Sequence, residues 1–161
     1  MGSAQLILLA GGLILLGAVS LTIYNSFNNK TDFELQNEAY ITAASIGQSM
    51  IDKILTKSFD QKTVSHSYTV PDSLTSVGLL GPDAGETSVT SYNDIDDYKN
   101  YVQLDTLSVL GVFRTKIDIN YAQKFNPDIT SNARTFTKRI DVFVTNTFLK
   151  DTLKLNYGVT Y

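Results

Sequence analysis

The side chains best suited to hold a metal ion are concentrated in one acidic segment, residues 93–97 (NDIDD), with Asp83 and Glu86 nearby in the sequence. Calcium is bound by several carboxylate and carbonyl oxygens that one flexible loop brings together. The candidate ligands are Asp94, Asp96 and Asp97. The glycine of an EF-hand loop is missing, and such acidic segments are more often solvated turns. The main expectation is therefore no metal, with calcium as the weaker alternative.

The only histidine, His66, lies in the alternating segment 64–68 (VSHSY) between Ser65 and Ser67. A catalytic serine would need this histidine as its general base. Adjacent residues of a strand point to opposite faces, however, and neither serine lies in a nucleophile-elbow sequence. No phosphate-binding glycine motif or dinucleotide-binding motif is present. We therefore expect no catalytic residue and no cofactor, and a solvated surface histidine.

Composition excludes further classes of function. The 161 residues contain no cysteine, which excludes disulfides, thiolate zinc sites and iron–sulfur clusters, and one histidine excludes multi-histidine metal sites. A net charge of -3 without a basic tract argues against nucleic acid as a partner. Hydrophobic residues make up 43% of the chain, which is enough for the core of one modest domain with an appendage.

The N-terminal part of the chain is apolar and uncharged up to Lys30. Within it, residues 6–23 (LILLAGGLILLGAVSLTI) contain only two polar side chains. As an α-helix this run would be about 27 Å long, close to the roughly 30 Å hydrocarbon core of a bilayer. No basic residue precedes it and no A-x-A-like site follows it, so we expect a retained membrane-spanning helix rather than a signal peptide.

Small residues recur every seven positions along this predicted helix. The two series are Ser3, Ala10, Gly17 and Ala4, Gly11, Ala18. This spacing leaves a narrow stripe without bulky side chains, and such stripes allow helices in a bilayer to approach closely. Glycine is also frequent in membrane helices generally, so the stripe alone leaves both explanations open. Close to the end of the apolar part, residues 29–31 (NKT) form a weak glycosylation signal at Asn29.

Two further periodicities predict the rest of the fold. Residues 31–59 have an amphipathic helical pattern, with acidic residues early and lysines late. Residues 25–29 are poor helix formers, so the sequence allows either one continuous helix or two helices with a break at these residues. Beyond Phe59, alternation of apolar and polar residues predicts antiparallel strands at 113–121, 136–144 and 152–161, with one apolar face. Weaker strands are predicted at 64–70 and 101–109, and a long surface loop at 71–100.

This order of elements resembles the type IV pilins and related pilin-like filament subunits. Residues 36–59 (QNEAYITAASIGQSMIDKILTKSF) are similar to the helical region of minor pilins and pseudopilins. Residues 134–161, which include KRIDV at 138–142, resemble the late strands of the same proteins. The resemblance implies an α+β fold in which the apolar helix, residues 1–29, protrudes from a globular head, residues 30–161. In that head, helix 31–59 would pack on an antiparallel sheet.

The resemblance also implies a function. In such a subunit a leader is cleaved and the apolar helix is inserted in the inner membrane. The pilus assembly machinery then extracts the subunit into an extracellular helical filament of identical copies. These filaments have roles in adhesion, motility or surface attachment. The residues implied in assembly are Met1, Ala4, Gln5, Ala10, Gly11, Gly17 and Ala18. Two alternatives remain: a pseudopilin of a type II secretion-like system, and a single-span anchored β-domain that binds a ligand.

Two positions depart from the family pattern. Members usually have a glutamate at the fifth mature position, and this chain has Gln5 there if Met1 is the processed end. Glutamine can accept a hydrogen bond from a neighbouring terminal amine but cannot neutralise its charge, so the usual ion pair is not expected. Members also often carry a proline near residue 22. Its absence here predicts a straighter helix.

Overall fold

The computed structural model describes the chain from Gly2 to Tyr161, apart from the side chains of Asn28 and Asn29. The chain divides into two compact units, Met1–Glu38 and Ala39–Tyr161. One α-helix, α1, runs over 53 residues from Ser3 to Leu55. The fold is therefore α+β with a long N-terminal helix, as predicted.

Helix α1 continues through residues 25–29, where the sequence left a break open. No proline interrupts the backbone hydrogen bonds there. The hydroxyls of Thr22 and Thr31 donate to the carbonyl oxygens four residues earlier, at 2.9 and 3.1 Å.

The helix ends at Leu55, so the prediction that it extends to Phe59 is wrong. Thr56 and Lys57 donate backbone N–H groups to carbonyls only three residues back. Ser58 then forms a parallel bridge with Asp94, with backbone bonds to Asn93 and Ile95 of 3.1 and 2.9 Å. The chain leaves the helix where Ser58 pairs with residues 93–95. That segment is far away in the sequence, so the local periodicity does not predict where the helix ends.

Five antiparallel strands form the sheet. Their bounds are β1 Val102–Leu107, β2 Gly111–Gln123, β3 Asn126–Thr130, β4 Thr137–Thr145 and β5 Leu153–Thr160. The order is β1-β2-β4-β5, and β3 pairs with the end of β2. The four strands predicted at 101–109, 113–121, 136–144 and 152–161 are confirmed. β3 was not predicted because it contains Pro127 and is exposed along its length, so it shows no alternation.

The strand predicted at 64–70 is wrong. The chain instead forms a 3-10 turn at Gln61–Val64 followed by irregular backbone. Asp60 initiates this turn, because its side chain accepts from the backbone N–H of Lys62 while the Thr63 hydroxyl accepts from the N–H of Asp60. The predicted loop, 71–100, contains only short 3-10 turns among its regular elements.

The second unit has its core between α1 and the sheet. On the helix the buried residues are Ala39, Ala43, Met50, Ile51 and Ile54, and on the central strands they are Phe113, Ile117, Ile119, Ile140, Val142 and Val144. A Cβ atom at Gly47 would lie 2.5 Å from Leu155 Cδ1 and 3.5 Å from Val144 Cγ2. The helix therefore lies directly on β4 and β5, at a distance that glycine allows.

We expect Ile54→Ala to lower the free energy of unfolding by about 2–5 kcal/mol, because it leaves a cavity under a fully buried side chain. The matched control is Ile41→Ala, on the same helix but 68% exposed, which should change stability little. Urea unfolding of the full chain in detergent measures both. Equal losses in the two variants would contradict the assignment of the core.

Candidate functional site

The first unit has an extensive apolar surface, here called the apolar helix surface and defined as the large apolar side chains of residues 6–27. Each of them is between 51% and 77% exposed. They are Leu6, Ile7, Leu8, Leu9, Leu13, Ile14, Leu15, Leu16, Val19, Leu21, Ile23, Tyr24 and Phe27. Contiguous exposed apolar surface of this kind is typical of sites that contact protein or membrane.

Helix α1 is the one helix among the described residues that is long and apolar enough to cross a membrane. This statement rests on length and composition, which an N-terminal signal sequence would satisfy equally. None of its most apolar stretch is buried within the chain. The helix is thus available either to a bilayer or to other protein.

The small-residue stripe makes no contact that would explain it within the chain. Cβ atoms added at Gly11 and Gly17 would meet nothing within 4 Å, and the same holds at Gly12. The alanines of the stripe, Ala4, Ala10 and Ala18, are exposed. Packing among the described residues therefore does not require glycine at positions 11 and 17.

Gln5 has a local partner in this structure. Its Oε1 accepts a hydrogen bond from the backbone N–H of Gly2 at 3.2 Å, which satisfies one of the free N–H groups at the start of the helix. The bond uses the same oxygen that a neighbouring amine would need. The predictions for Met1 and for glycosylation at Asn29 fall on parts that lie outside the described residues.

A buried ion pair joins three segments of the second unit. Lys138 Nζ lies 3.0 Å from Asp60 Oδ2 and also pairs with Asp96 Oδ1, and all three side chains are at most 2% exposed. Nζ donates further to the Phe59 carbonyl at 2.7 Å and lies 4.7 Å from the centre of the Phe59 ring. The strand β4, the residues after α1 and the loop before β1 therefore meet at one ammonium group.

Asp60 is held in its charged form by these contacts. It accepts from the hydroxyls of Tyr121 at 3.0 Å and Thr75 at 2.9 Å, as well as from Lys138. Burial, the largest single influence, raises the pKa of Asp60, but the charge and hydrogen bonds of Lys138 together with backbone N–H donors lower it overall. Asp60 therefore has a structural role, since its side chain is fully buried.

This ion pair was not predicted, although the position of Lys138 in its strand indicates a buried charge. Lys138 has the same parity along β4 as Ile140, Val142 and Val144, which are buried. A lysine at a core-facing position of a strand requires a buried acid as its partner. The identity of that partner could not be read from the sequence, because Asp60 is 78 residues away.

An acidic cluster lies in the loop 71–100. One carboxylate oxygen from each of Asp83, Asp94 and Asp97 lies within 4.8 Å of those of the other two. Asp94 and Asp97 are buried and Asp83 is exposed. The structure therefore brings together two of the three calcium candidates from the sequence. The third, Asp96, is directed to Lys138, and Asp83 occupies the corresponding place in the cluster.

The electrostatics of this loop disfavour negative charge. Burial, followed by the charges of Asp96 and Asp97, raises the pKa of Asp94 to about 9. Burial raises the pKa of Asp96 as well, against the opposing charge of Lys138. The pKa of Glu86 is also raised, first by burial and then by Asp97. Carboxylates packed this closely hold their charge only at a cost unless a cation joins them.

His66 is exposed, as expected, but its local structure differs from the expectation. Because residues 64–70 do not form a strand, adjacent side chains can meet, and Ser65 Oγ lies 2.8 Å from His66 Nδ1. Among the hydrogen bonds of the described residues, none joins His66 to a carboxylate. The ring therefore lacks the acid that would orient a general base.

Comparison of the chain with protein-family models, with curated proteins and with solved structures found no match in any of the three. The long N-terminal helix packed on an antiparallel sheet is compatible with a pilin-like fold. Beyond this, function has to be argued from the surfaces and clusters of the chain itself.

Replacing the buried ammonium should destabilise the second unit strongly. We expect Lys138→Met to cost about 3–5 kcal/mol, because Asp60 and Asp96 would be left buried without their cation. The matched control is Lys154→Met, whose ion pair with Asp141 is 43% exposed at the lysine and should be worth at most about 1 kcal/mol. Chemical denaturation measures both variants, and a similar effect for the two would disprove the structural role of Lys138.

The lowered pKa of Asp60 predicts a specific pH dependence. A carboxyl whose folded pKa is lowered contributes stability above its unfolded pKa of about 3.9, and this is lost as the pH falls through the folded value. We therefore expect Asp60→Asn to cost about 2 kcal/mol near neutral pH and progressively less below about pH 4. The matched control is Asp72→Asn, at an exposed position. Unfolding curves between pH 2 and 7 test this, and a pH-independent difference would refute it.

Proposed function

We propose that this chain is the structural protomer of an extracellular helical filament of the type IV pilus kind, assembled through its N-terminal apolar helix. The observation that carries the proposal is the apolar helix surface, which is uncharged and exposed along its length. It belongs to a helix whose C-terminal part packs on an antiparallel sheet. A self-assembling subunit needs both parts: a helix to be buried among copies and a folded head to be displayed.

The energy available for assembly is large. Covering about a dozen large apolar side chains contributes roughly 1.5–3 kcal/mol each relative to water, before the costs of association and ordering. Transfer from a bilayer into a filament gains no such energy, because lipid tails are as apolar as leucine. Helix packing must then stabilise the filament, and the small-residue stripe is the feature that would permit it.

Before assembly, the same helix would lie in the inner membrane. The uncharged part ends at Lys30, where an exposed ion pair with Glu34 begins the polar part of the helix. The proposed partners are accordingly the membrane and the pilus assembly machinery first, and other copies of this chain afterwards. This order would use one surface twice, first against lipid and then against protein.

The glycines of the stripe allow a direct test. We expect the double substitution Gly11→Leu and Gly17→Leu to abolish filaments, because bulky side chains would prevent close helix approach. The second unit should keep its fold, since neither position contacts anything within 4 Å. The matched control is Gly12→Leu, which belongs to neither of the two seven-residue series and is equally open within the chain. It should impair assembly less.

Electron microscopy of material sheared from cells, with N-terminal sequencing of the protein, measures the outcome. Filaments formed by the double variant would contradict the role of the stripe. Absence of filaments from the unsubstituted chain, with the protein remaining as single spans in the membrane, would support the anchored binding module instead. A low abundance in sheared fractions, with short filaments only on overproduction, would favour the pseudopilin alternative.

A further inference from the structure

Two buried carboxylates of the acidic cluster are held in a way that leaves one oxygen of each free. Asp97 Oδ2 accepts from the backbone N–H groups of Asn93 and Asp94 at 2.9 and 3.0 Å. Asp94 Oδ1 accepts from the N–H of Asp97 at 3.2 Å. The other oxygens, Asp94 Oδ2 and Asp97 Oδ1, are buried and have no hydrogen-bond partner among the described residues. Unpaired oxygens on side chains that are at most 1% exposed are costly unless a ligand binds them.

A third buried oxygen of this loop is in the same state. Asn93 Oδ1 has no hydrogen-bond partner, whereas its Nδ2 donates to Glu86 Oε1 at 2.6 Å. Glu86 Oε2 in turn accepts from the backbone N–H of Asp83 at 3.0 Å. Glu86 thus links the two parts of the loop and holds the Asn93 amide group in one orientation.

We propose that Asp83, Asp94 and Asp97 bind a calcium ion, with Asn93 Oδ1 as a further oxygen ligand. Calcium takes oxygen ligands at about 2.3–2.6 Å, so ligands on opposite sides of the ion can be about 4.6–5.2 Å apart. The three carboxylate oxygens lie within 4.8 Å of one another, which fits that coordination sphere. The exposed position of Asp83 gives the ion a route from solvent and leaves room for water ligands.

The backbone that carries Asp94 and Asp97 is held in place by contacts with the residues that follow α1. The backbone of residues 93–95 pairs with Ser58 just beyond the end of α1, and Lys57 Nζ donates to the Tyr92 carbonyl at 2.7 Å. Two ligands therefore come from a fixed segment, and Asp83 comes from an exposed turn ten residues earlier in the sequence. Binding would fasten that turn to the fixed segment and so order the long loop between them.

Calcium binding by the full chain in detergent tests the proposal, and it does not depend on filament formation. After treatment with a chelator, addition of calcium chloride should produce saturable heat in calorimetry. At a free concentration 100-fold above Kd it should raise Tm by about 5 °C or more. Magnesium chloride at the same concentration should have a smaller effect, because Mg²⁺ requires shorter and more regular coordination.

Three variants separate binding from folding. Asp83→Asn, at an exposed position, should weaken calcium affinity about ten-fold or more without unfolding the chain. Asp94→Asn keeps the size of the side chain but removes one of the two buried carboxylate ligands, so it should abolish the calcium-induced rise. Asp72→Asn, an exposed carboxylate of the same loop outside the cluster, is the matched control and should bind calcium as the unsubstituted chain does.

Several results would overturn the calcium site. No heat and no Tm shift up to about 10 mM calcium would do so, since that exceeds the weakest extracellular calcium sites. An equal response from Asp72→Asn and Asp83→Asn would show that binding is not at this cluster. An equal response to magnesium would refute the selectivity argued from the ligand distances.

Discussion

The exposed apolar surface of the N-terminal helix is the constraint on which the rest of this protein depends. The large apolar side chains between Leu6 and Phe27 are uncharged and more than half exposed, so their contact with water is unfavourable. None of the most apolar stretch is buried by the described residues, and in the proposed function a bilayer and then other copies would cover it. This requirement explains why one helix contains an apolar N-terminal stretch and an amphipathic C-terminal one, and why only the latter contributes buried residues to the second unit.

Within the second unit, one ammonium group determines how three segments meet. Lys138 on β4 pairs with Asp60 beyond the end of α1 and with Asp96 before β1, and no solvent reaches the group. Ion pairs of this kind add little to stability compared with an apolar core, but each member is costly to bury alone. The arrangement therefore favours a single register of helix end, loop and sheet. The cation–π contacts with Phe59 and Tyr121 further favour this position of the ammonium.

The acidic segment 93–97 divides its carboxylates between two environments. Asp96 turns to the buried lysine, whereas Asp94 and Asp97 turn to Asp83 and leave oxygens without partners. A 3-10 turn at Asp96–Tyr98 produces this division, because it directs consecutive side chains to different sides. One short run of acids thus neutralises a core cation on one side and presents buried oxygens on the other.

Periodicity in the sequence was sufficient to predict the α+β class, the long helix and four of the five strands, because burial on one face imposes a period of 3.6 on a helix and of two on a strand. The same pattern also shows Lys138 at a core-facing position. The tertiary structure alone decided where α1 ends, that 64–70 is not a strand, and which carboxylates meet at Lys138 and at Asp94. The end of α1 and the two groups of carboxylates depend on partners between about ten and about eighty residues away, and neither local propensity nor spacing contains that information. The turn at Gln61–Val64 is local, but the alternation of 64–68 suggested a strand there. The edge strand β3 escaped prediction for the opposite reason, since it is exposed along its length and leaves no alternation in the sequence.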